Sequence, residues 1–445
     1  MRQSSFLTPA GSGVWLTLAV GLLLAPLLWR SSLAVTLLSQ IGIAVIACMA
    51  YNLLLGQGGM LSFGHALYSG LGTYATVHAL NAWTASRSAG AAWALLLPGP
   101  LGVALVPLLG GWAGLGAAAL IGGPTTRRAG TPFAMITLGL GELVFALALM
   151  FPAVFGGEGG VSTNRVVGPS WQGLDWSGAT QVYGLIVVYT LICTALLLAF
   201  SHTPLGRLLN AVRDNPQRVA FVGHNPQRVR HLALCVSGFF MGVAGGLAAL
   251  LFELATPEAL GAARSGGYLL FTVLGGSGYL GGPVLGGVLL VLAQVLLSAW
   301  TQAWLLYLGL VFVVMVLYAP GGLLSLLAPT GSAALTVWSH AALRPRARDV
   351  AVGTIALLAT ALLALIGIST LIEMLYQLQL NAASGSALRL WGVHWSVDGA
   401  DGWCAASLLL LTGLGLGAVT LRHWHAQWLR LQADAAALSA RQEST

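Results

Sequence analysis

The sequence has little charge and no lysine. Of its 445 residues, 7% are charged and 57% are hydrophobic, and all 19 basic residues are arginines. A soluble domain carries about 25% charged residues, because its water-facing surface requires them. The composition therefore argues against a soluble enzyme, a nucleic-acid-binding protein and a secreted disulfide scaffold. It predicts a polytopic membrane protein.

The absence of lysine excludes two kinds of chemistry. A Walker A loop uses the lysine of Gly-x4-Gly-Lys-Ser/Thr to bind the β- and γ-phosphates of a nucleotide. Schiff-base catalysis likewise needs a lysine amine. If ATP drives this protein, a separate chain must bind the nucleotide. The net charge of +7 is typical of a membrane protein with arginine-rich cytoplasmic loops, and no nucleic-acid partner is expected.

Cysteine is scarce and unpaired in the sequence. The four cysteines lie singly inside apolar stretches, without a C-x2-C pair, and no H-E-x-x-H motif occurs. Zinc and redox sites usually need such paired spacings. We therefore expect small buried cysteines, no metal site, no cofactor and no catalytic residues.

Apolar runs predict the membrane spans. A bilayer core ~30 Å thick needs about 20 apolar residues per helix. The predicted fold class is an all-α polytopic membrane protein, with about 10 core transmembrane or re-entrant helices and a two-helix C-terminal appendage. Residues 1–329 form the predicted core and residues 330–445 the predicted appendage, which follows an arginine-rich linker at 344–348. The predicted spans are 13–29, 33–55, 59–80, 98–121, 131–153, 181–200, 231–252, 266–283, 284–300, 304–319, 350–372 and 402–421.

Arginine placement predicts the orientation. With the N-terminus on the cytoplasmic side, these spans put 14 of the 19 arginines in cytoplasmic segments and 5 in outer segments. Cytoplasmic loops of membrane proteins carry such an excess of basic residues. Losing one span would reverse every later loop, whereas losing two would not, so both ten and twelve spans remain open. Both termini are predicted to be cytoplasmic.

The cytoplasmic loop 201–230 resembles a docking element. Thr203 followed by Pro204 is a good helix start, as an N-cap with proline at the first helical position. Apolar residues then recur at helical spacing up to Val212, and Asn215 before Pro216 ends the helix. The pentapeptide NPQRV occurs at 215–219 and again at 225–229. The residues alone leave two interpretations open, a partner-docking element or an ordinary basic loop.

Five stretches in order are similar to a known family. Residues 203–216 (TPLGRLLNAVRDNP) and 51–66 (YNLLLGQGGMLSFGHA) carry the clearest motifs, and the others are 130–142, 274–286 and 307–323. Together they resemble the membrane permeases of the branched-chain amino acid ABC uptake system, LivM-type subunit, over about residues 15–327. Pro132, Phe155 and Tyr279 depart from the family pattern, which affects the expected substrate more than the expected fold.

The resemblance implies a function and partners. Such permeases pair with a second related permease and two separate ATP-binding subunits, receive substrate from an extracytoplasmic binding protein, and lie in the bacterial cytoplasmic (inner) membrane. Leucine, isoleucine and valine are the default substrates, and urea, short amides or aromatic compounds are the alternatives. By this resemblance the loop 201–230 couples to the ATPase through Arg207, Arg213, Asp214, Asn215, Pro216 and Gly223.

Polar residues within spans indicate a candidate substrate path, because they are costly in lipid. The glycine-rich runs at 56–59 and 275–278 are the expected helix interruptions, where free backbone groups can bind a zwitterion. Close helix packing is the alternative role for these glycines. The candidate path residues are Asn52, Gln57, Ser62, His65, Glu142 and Ser277.

Two other functions are alternatives to the permease. The run GGSG around Ser277 matches the nucleophile motif of intramembrane serine proteases, but the later histidines (His340, His394, His423 and His425) lie outside the predicted spans. A serine nucleophile needs a base within hydrogen-bond reach. A self-sufficient secondary transporter would need coupling carboxylates deep in the spans, and only Glu142 is placed for that role.

Overall fold

The computed structural model describes residues 9–28, 31–89, 99–170, 173–279, 281–300, 304–318 and 321–324, discontinuous segments of 352–375, and residues 387–390, 393–396 and 400–443. The chain forms two compact units, one over 1–296 and 314–325 and the other over 297–313 and 326–445. The predicted boundary between 329 and 330 stays a prediction. The arginine-rich linker 344–348 lies outside the described residues.

The described residues are mostly α-helical, which confirms the all-α polytopic fold. Six helices are long and apolar enough to cross a membrane: Ser32–Gln57, Gly99–Thr125, Thr131–Met150, Ala179–His202, Pro226–Phe252 and Asp401–Trp424. Shorter apolar helices cover Gly282–Leu297, Trp304–Val313 and Ile366–Leu375. The exact number of spans stays a prediction.

The first unit contains most of the helices. They are α1 (Pro9–Leu28), α2 (Ser32–Asn52), α3 (Ala66–Ser88), α4 (Gly99–Thr125), α5 (Thr131–Met150), α6 (Pro152–Phe155), α7 (Ala179–His202), α8 (Pro204–Asp214), α9 (Pro216–Phe221), α10 (Pro226–Phe252), α11 (Ala262–Gly275) and α12 (Gly282–Leu292). The short helix α13 (Ser298–Trp300) belongs to the second unit. Helix α14 (Trp304–Tyr318) is divided between the two units. Strands β1 (Val161–Ser162) and β2 (Leu254–Ala255) pair antiparallel, with Val161 opposite Ala255.

Glycines let α3, α4 and α10 pack backbone to backbone in the centre of this unit. A Cβ at Gly242 of α10 would meet the Gly110 backbone of α4, and a Cβ at Gly72 of α3 would meet Gly242. A Cβ at Gly114 would meet the Gly238 carbonyl. Small residues at such positions allow close helix approach within a membrane. These contacts leave no room for side chains along the seam.

Three predicted spans have different bounds in the structure. The span predicted at 59–80 begins as helix only at Ala66, because a π-helical turn (Leu53–Gln57) and an extended segment precede it. The span predicted at 266–283 is the shorter helix α11, which ends at Gly275. The span predicted at 284–300 lies in the helical segment that begins with α12 at Gly282 and continues through a π-helical turn (Ala293–Leu297) into α13. Helix α11 has 14 residues and is about 21 Å long, too short to cross the bilayer core. It packs with α12 as a helical hairpin.

The second unit ends in one long helix. Strands β3 (Ala387–Leu390) and β4 (Val393–Ser396) form an antiparallel hairpin, and helix α15 (Ala400–Glu443) follows. Met374 and Ala406 are buried together in its core. The helix runs 44 residues without a break, so the tail after the predicted span 402–421 continues the same helix rather than starting a separate one.

Candidate functional site

Helix α2 ends in an irregular turn where the sequence predicts an interruption. Its last turn is π-helical over Leu53–Gln57, and Gly59 then adopts a positive φ of 63°. Such π-helical turns are rare and occur frequently at functional sites. The extended segment from Gly59 to His65 connects this end to α3. The irregular backbone therefore lies next to the predicted path residues Asn52, Gln57 and Ser62.

Arg213 joins helix α8 to this irregular turn. The guanidinium donates through Nη1 to the carbonyl oxygen of Gly56 and forms an ion pair with Asp214 at 3.1 Å. A Cβ at Gly59 would collide with the Arg213 side chain, so glycine is required for this approach. A cation at the C-terminal end of a helix is also favoured by the helix dipole. Of the predicted coupling residues, Arg213 is thus the one in direct contact with a predicted path segment.

Local sequence explains how α8 and α9 are held in place. Thr203 caps α8 by accepting a hydrogen bond from Gly206 N at 3.2 Å, and Pro204 occupies the first helical position. Leu209 and Val212 are buried, as the helical spacing of the apolar residues predicts. Asn215 caps α9 by accepting from the backbone amides at 217 and 218, with Pro216 at the first position.

Four of the other predicted coupling residues are exposed and Asn215 is partly buried. Arg207 and Asp214 are exposed on α8. Gly223 has a φ of 89° and closes the turn after α9. Since this φ lies in the left-handed region, glycine is favoured there. The repeated pentapeptide produces two Asn-Pro helix starts, because Asn225 accepts from Gln227 N at 2.9 Å as Asn215 does for α9.

A small cleft lies beside the irregular turn. Asn52 and Gln57 line it, and each has a side-chain oxygen that is buried without a hydrogen-bond partner. The cleft volume is about 10 Å³, enough for about one water molecule. It is too small for an amino acid. The remaining lining residues are Met49, Leu53, Leu197 and Leu198.

The second predicted interruption contacts the first. Helix α11 ends at Gly275, and Gly276 has a φ of 116°. The carbonyl oxygen of Ser277 lies against Gly56, where a Cβ would collide with it. The glycines at both interruptions therefore combine an irregular backbone with close packing, and binding of a zwitterion there stays a prediction. Ser277 therefore contacts the irregular turn through its backbone carbonyl oxygen.

His65 lies in a buried polar cluster. Its Nε2 is 2.9 Å from Ser237 Oγ, and Ser237 donates its hydroxyl proton to the carbonyl oxygen of Ala50 at 2.5 Å. Since that proton is committed, His65 must donate from Nε2, which leaves Nδ1 as an acceptor without a partner. The rings of Tyr51 and Tyr68 flank the imidazole, each with its centroid 5.2 Å away. This cluster joins α2, the start of α3 and α10, and a path role for His65 stays a prediction.

Ser62 and Glu142 have different surroundings. Ser62 is buried, and its carbonyl oxygen accepts from Tyr51 Oη at 2.7 Å. Glu142 is exposed on α5 and accepts from the backbone amide of Ala262 at 3.2 Å. A carboxylate at a helix N-terminus is stabilised by the helix dipole. Glu142 therefore supports the start of α11, while its role in a path stays a prediction.

The opposite end of the first unit contains a clamp around Arg165. Its guanidinium donates from Nε to Trp176 O at 2.7 Å and from Nη1 to Leu250 O at 3.1 Å, and it lies 3.9 Å from the Glu253 carboxylate. These bonds join the loop after β1 to the C-terminal end of α10. Within this loop, hydrogen bonds from Ser177 lower the pKa of the Asp175 carboxyl.

Sequence reasoning missed several of these residues. Ser237 and Arg165 contact residues that are distant in sequence. His65 and Ser237, for example, are 172 positions apart. The residues adjacent to Ser237 and Arg165 in the sequence therefore do not indicate these contacts. Among the residues that the structure describes, no group of three or more His, Cys, Asp or Glu side chains is placed to bind a metal.

This architecture defines the class of protein. Several long apolar helices and two interrupted helices in contact are features of a multi-pass membrane transport protein. The family model of the branched-chain amino acid transport system permease component matches residues 33–320. The chain belongs to this permease family.

Individual relatives agree with this assignment. The chain is 28% identical over 312 residues to the high-affinity branched-chain amino acid transport system permease protein LivM of Escherichia coli K12. It is 29% identical over 312 residues to the protein of the same name from Salmonella typhimurium LT2. Each alignment covers 65% of this chain and 67% of the relative. No solved structure matches the chain.

Proposed function

We propose that this chain is one membrane subunit of an ABC importer and forms half of a translocation path for branched-chain amino acids. A second, related permease completes the path, two ATP-binding subunits dock on the cytoplasmic face, and an extracytoplasmic binding protein delivers the substrate. The complex lies in the bacterial inner membrane with both termini of this chain in the cytoplasm. The family membership and the absence of a Walker A lysine support a permease role for this chain and ATP binding by separate subunits.

The observation that supports ATP coupling best is the bond from Arg213 to Gly56. Helix α8 belongs to the loop that we assign to the ATPase, and Gly56 lies in the irregular turn beside the cleft. A movement of α8 would therefore pull directly on the turn that contains Gln57. ATP favours one of the two conformations by binding it more tightly, which is the energetic basis of alternating access.

The cleft supports a path for small zwitterions. The unpartnered oxygens of Asn52 and Gln57 are hydrogen-bond acceptors suited to an ammonium group, and Leu53, Leu197 and Leu198 provide an apolar wall. Opening of the cleft would expose both kinds of surface to a branched aliphatic amino acid. Urea, short amides and aromatic compounds are the alternative substrates within the same family.

Two experiments test this proposal. The tagged chain is purified from its native membrane in mild detergent, and we expect a second permease and two ATP-binding chains to co-purify. The cognate binding protein is then screened by thermal shift, and we expect leucine, isoleucine and valine to raise its melting temperature. Stabilisation by urea or aromatic compounds alone would assign the transporter to those substrates. Purification of this chain without an ATP-binding subunit would contradict the ABC assignment.

A further inference from the structure

The tip of the loop 201–230 exposes two large apolar side chains. Phe221 ends α9 and is 90% exposed, and Val222 follows it with 77% exposure. Exposed apolar residues are expected on lipid-facing helices, but this pair belongs to a polar, basic loop. We refer to Phe221 and Val222 as the apolar tip.

The apolar tip is held in a defined conformation. The backbone amide of Gly223 donates to Ala220 O at 3.0 Å and that of His224 donates to Val219 O at 3.2 Å. Val219 is buried, which anchors α9 beneath the tip. The Asn caps at the starts of α9 and α10 fix the chain on both sides. Pre-organised contact residues bind with a smaller entropic cost than flexible ones.

The charged residues nearest to the tip in sequence are basic, and the nearest acidic one, Asp214, forms an ion pair with Arg213. Arg218 and Arg228 are exposed on either side of it. From Asn215 to Phe252 the sequence contains no acidic residue. A complementary surface therefore needs an apolar pocket for an aromatic ring and a rim of carboxylates. A buried aromatic anchor within a polar rim is the usual form of a protein–protein hot spot.

From these observations we propose that the apolar tip, and not the polar face of α8, is the main contact of this chain with the ATP-binding subunit. This inference rests on the proposed function. Arg213, on the polar face of α8, is already bonded to Gly56 and Asp214, so it transmits movement rather than binding the partner. The partner surface is an apolar groove with an acidic rim on the ATP-binding chain.

A lipid surface is the other class of partner that a basic loop with apolar residues can contact. Two adjacent apolar side chains bury little area in a membrane, and stable interfacial binding scales with buried apolar area. The rigid turn and the single aromatic anchor favour a shaped protein pocket. We therefore assign the tip to the ATPase, and the experiment below includes the lipid outcome.

Site-specific photocrosslinking tests the assignment in native membranes. The photoreactive residue p-benzoylphenylalanine replaces Phe221, and in a matched control it replaces Phe252, which is 51% exposed at the opposite end of α10. We expect position 221 to yield a product containing a Walker A peptide and position 252 to yield none. Only lipid adducts from position 221, while an ATPase co-purifies with the unmodified chain, would overturn the assignment.

Substitutions give a second, quantitative test. Because the side chain is exposed, Phe221→Asp should leave folding intact, and we expect it to weaken binding of the ATP-binding subunit by at least about 30-fold. Phe221→Leu, which keeps an apolar tip, should retain most of the binding. Equal binding by wild type and Phe221→Asp would overturn the tip assignment but leave the ABC function standing. Absence of an ATPase from the wild-type complex would overturn both.

Discussion

Arg213 donates a hydrogen bond to the carbonyl oxygen of Gly56, although the two residues are 157 positions apart. The bond attaches the short helix α8 to the π-helical end of α2. It thus connects the loop assigned to the ATPase with the turn beside the cleft. The predictions below concern this connection and the contacts that hold the surrounding helices.

Arg213→Gln is expected to separate ATP hydrolysis from transport. A glutamine amide cannot bind both the Gly56 carbonyl oxygen and the Asp214 carboxylate, as the guanidinium does. Helix α8 would therefore no longer be bonded to the turn. We expect normal membrane insertion and assembly, ATP hydrolysis by the complex, and a fall in uptake of at least about tenfold, since a charged hydrogen bond contributes about 1.5–3 kcal/mol. The measurement is uptake per ATP hydrolysed in vesicles.

The control for that variant is Arg128→Gln, which removes an exposed arginine from the turn between α4 and α5. It should transport normally. Normal uptake in Arg213→Gln as well would show that the bond to Gly56 does not couple the loop to the path. The more drastic Arg213→Glu should insert but abolish ATP-dependent uptake.

Gly242→Ala is expected to destabilise the packing of α4 on α10. Its Cβ would meet backbone atoms of Gly110 and lie 3.0 Å from Gly111 Cα, and a backbone cannot move aside cheaply. Overpacking of this kind costs about 1–3 kcal/mol. Thermal unfolding in detergent checks the expected fall in melting temperature. Gly116→Ala, on α4 with nothing within 4 Å of its Cβ, should leave the melting temperature unchanged or raise it.

Ser237→Ala is expected to lower stability by about 1 kcal/mol, because it leaves His65 Nε2–H without its acceptor and removes the hydroxyl donated to Ala50 O. The matched control is Ser39→Ala, which removes an equally buried hydroxyl bonded only within its own helix, to Val35 O at 2.8 Å. We expect the first variant to unfold at a lower temperature than the second. Equal melting temperatures would show that the cluster does not join the helices.

Arg165→Lys is expected to loosen the loop between β1 and α7. A lysine ammonium lacks the several N–H donors that a planar guanidinium directs at different carbonyl oxygens. The hydrogen bonds to Trp176 O and Leu250 O therefore cannot both be kept. We expect faster thermolysin cleavage within residues 156–178 of the solubilised protein. Arg127→Lys, on the exposed turn after α4, serves as the control. Unchanged cleavage in Arg165→Lys would contradict the clamp.

The sequence predicts the long apolar helices well, because hydropathy alone determines where a chain can cross a bilayer. The predicted spans 131–153 and 231–252 lie close to α5 and α10. The break between α11 and α12 begins at Gly276, whereas the sequence predicts it at 283/284. The residues on both sides of the break are apolar, so hydropathy alone does not locate it.

The candidate site was predictable only in its local parts. The caps of α8 and α9 follow from Thr203, Pro204 and Asn215, which act on their own neighbours. The bond from Arg213 to Gly56 depends on how distant helices pack, and no local pattern encodes it. The exposure of Phe221 is likewise a tertiary property, since the same residue in a packed loop would be buried.

Reconstituted uptake tests the central claim most directly. Proteoliposomes contain this chain, the second permease and both ATP-binding subunits, with ATP sealed inside and the binding protein added outside. We predict uptake of radiolabelled leucine that requires ATP, the binding protein and the ATP-binding subunits together. Accumulation of leucine by this chain alone, driven by a proton or sodium gradient without ATP, would contradict the account.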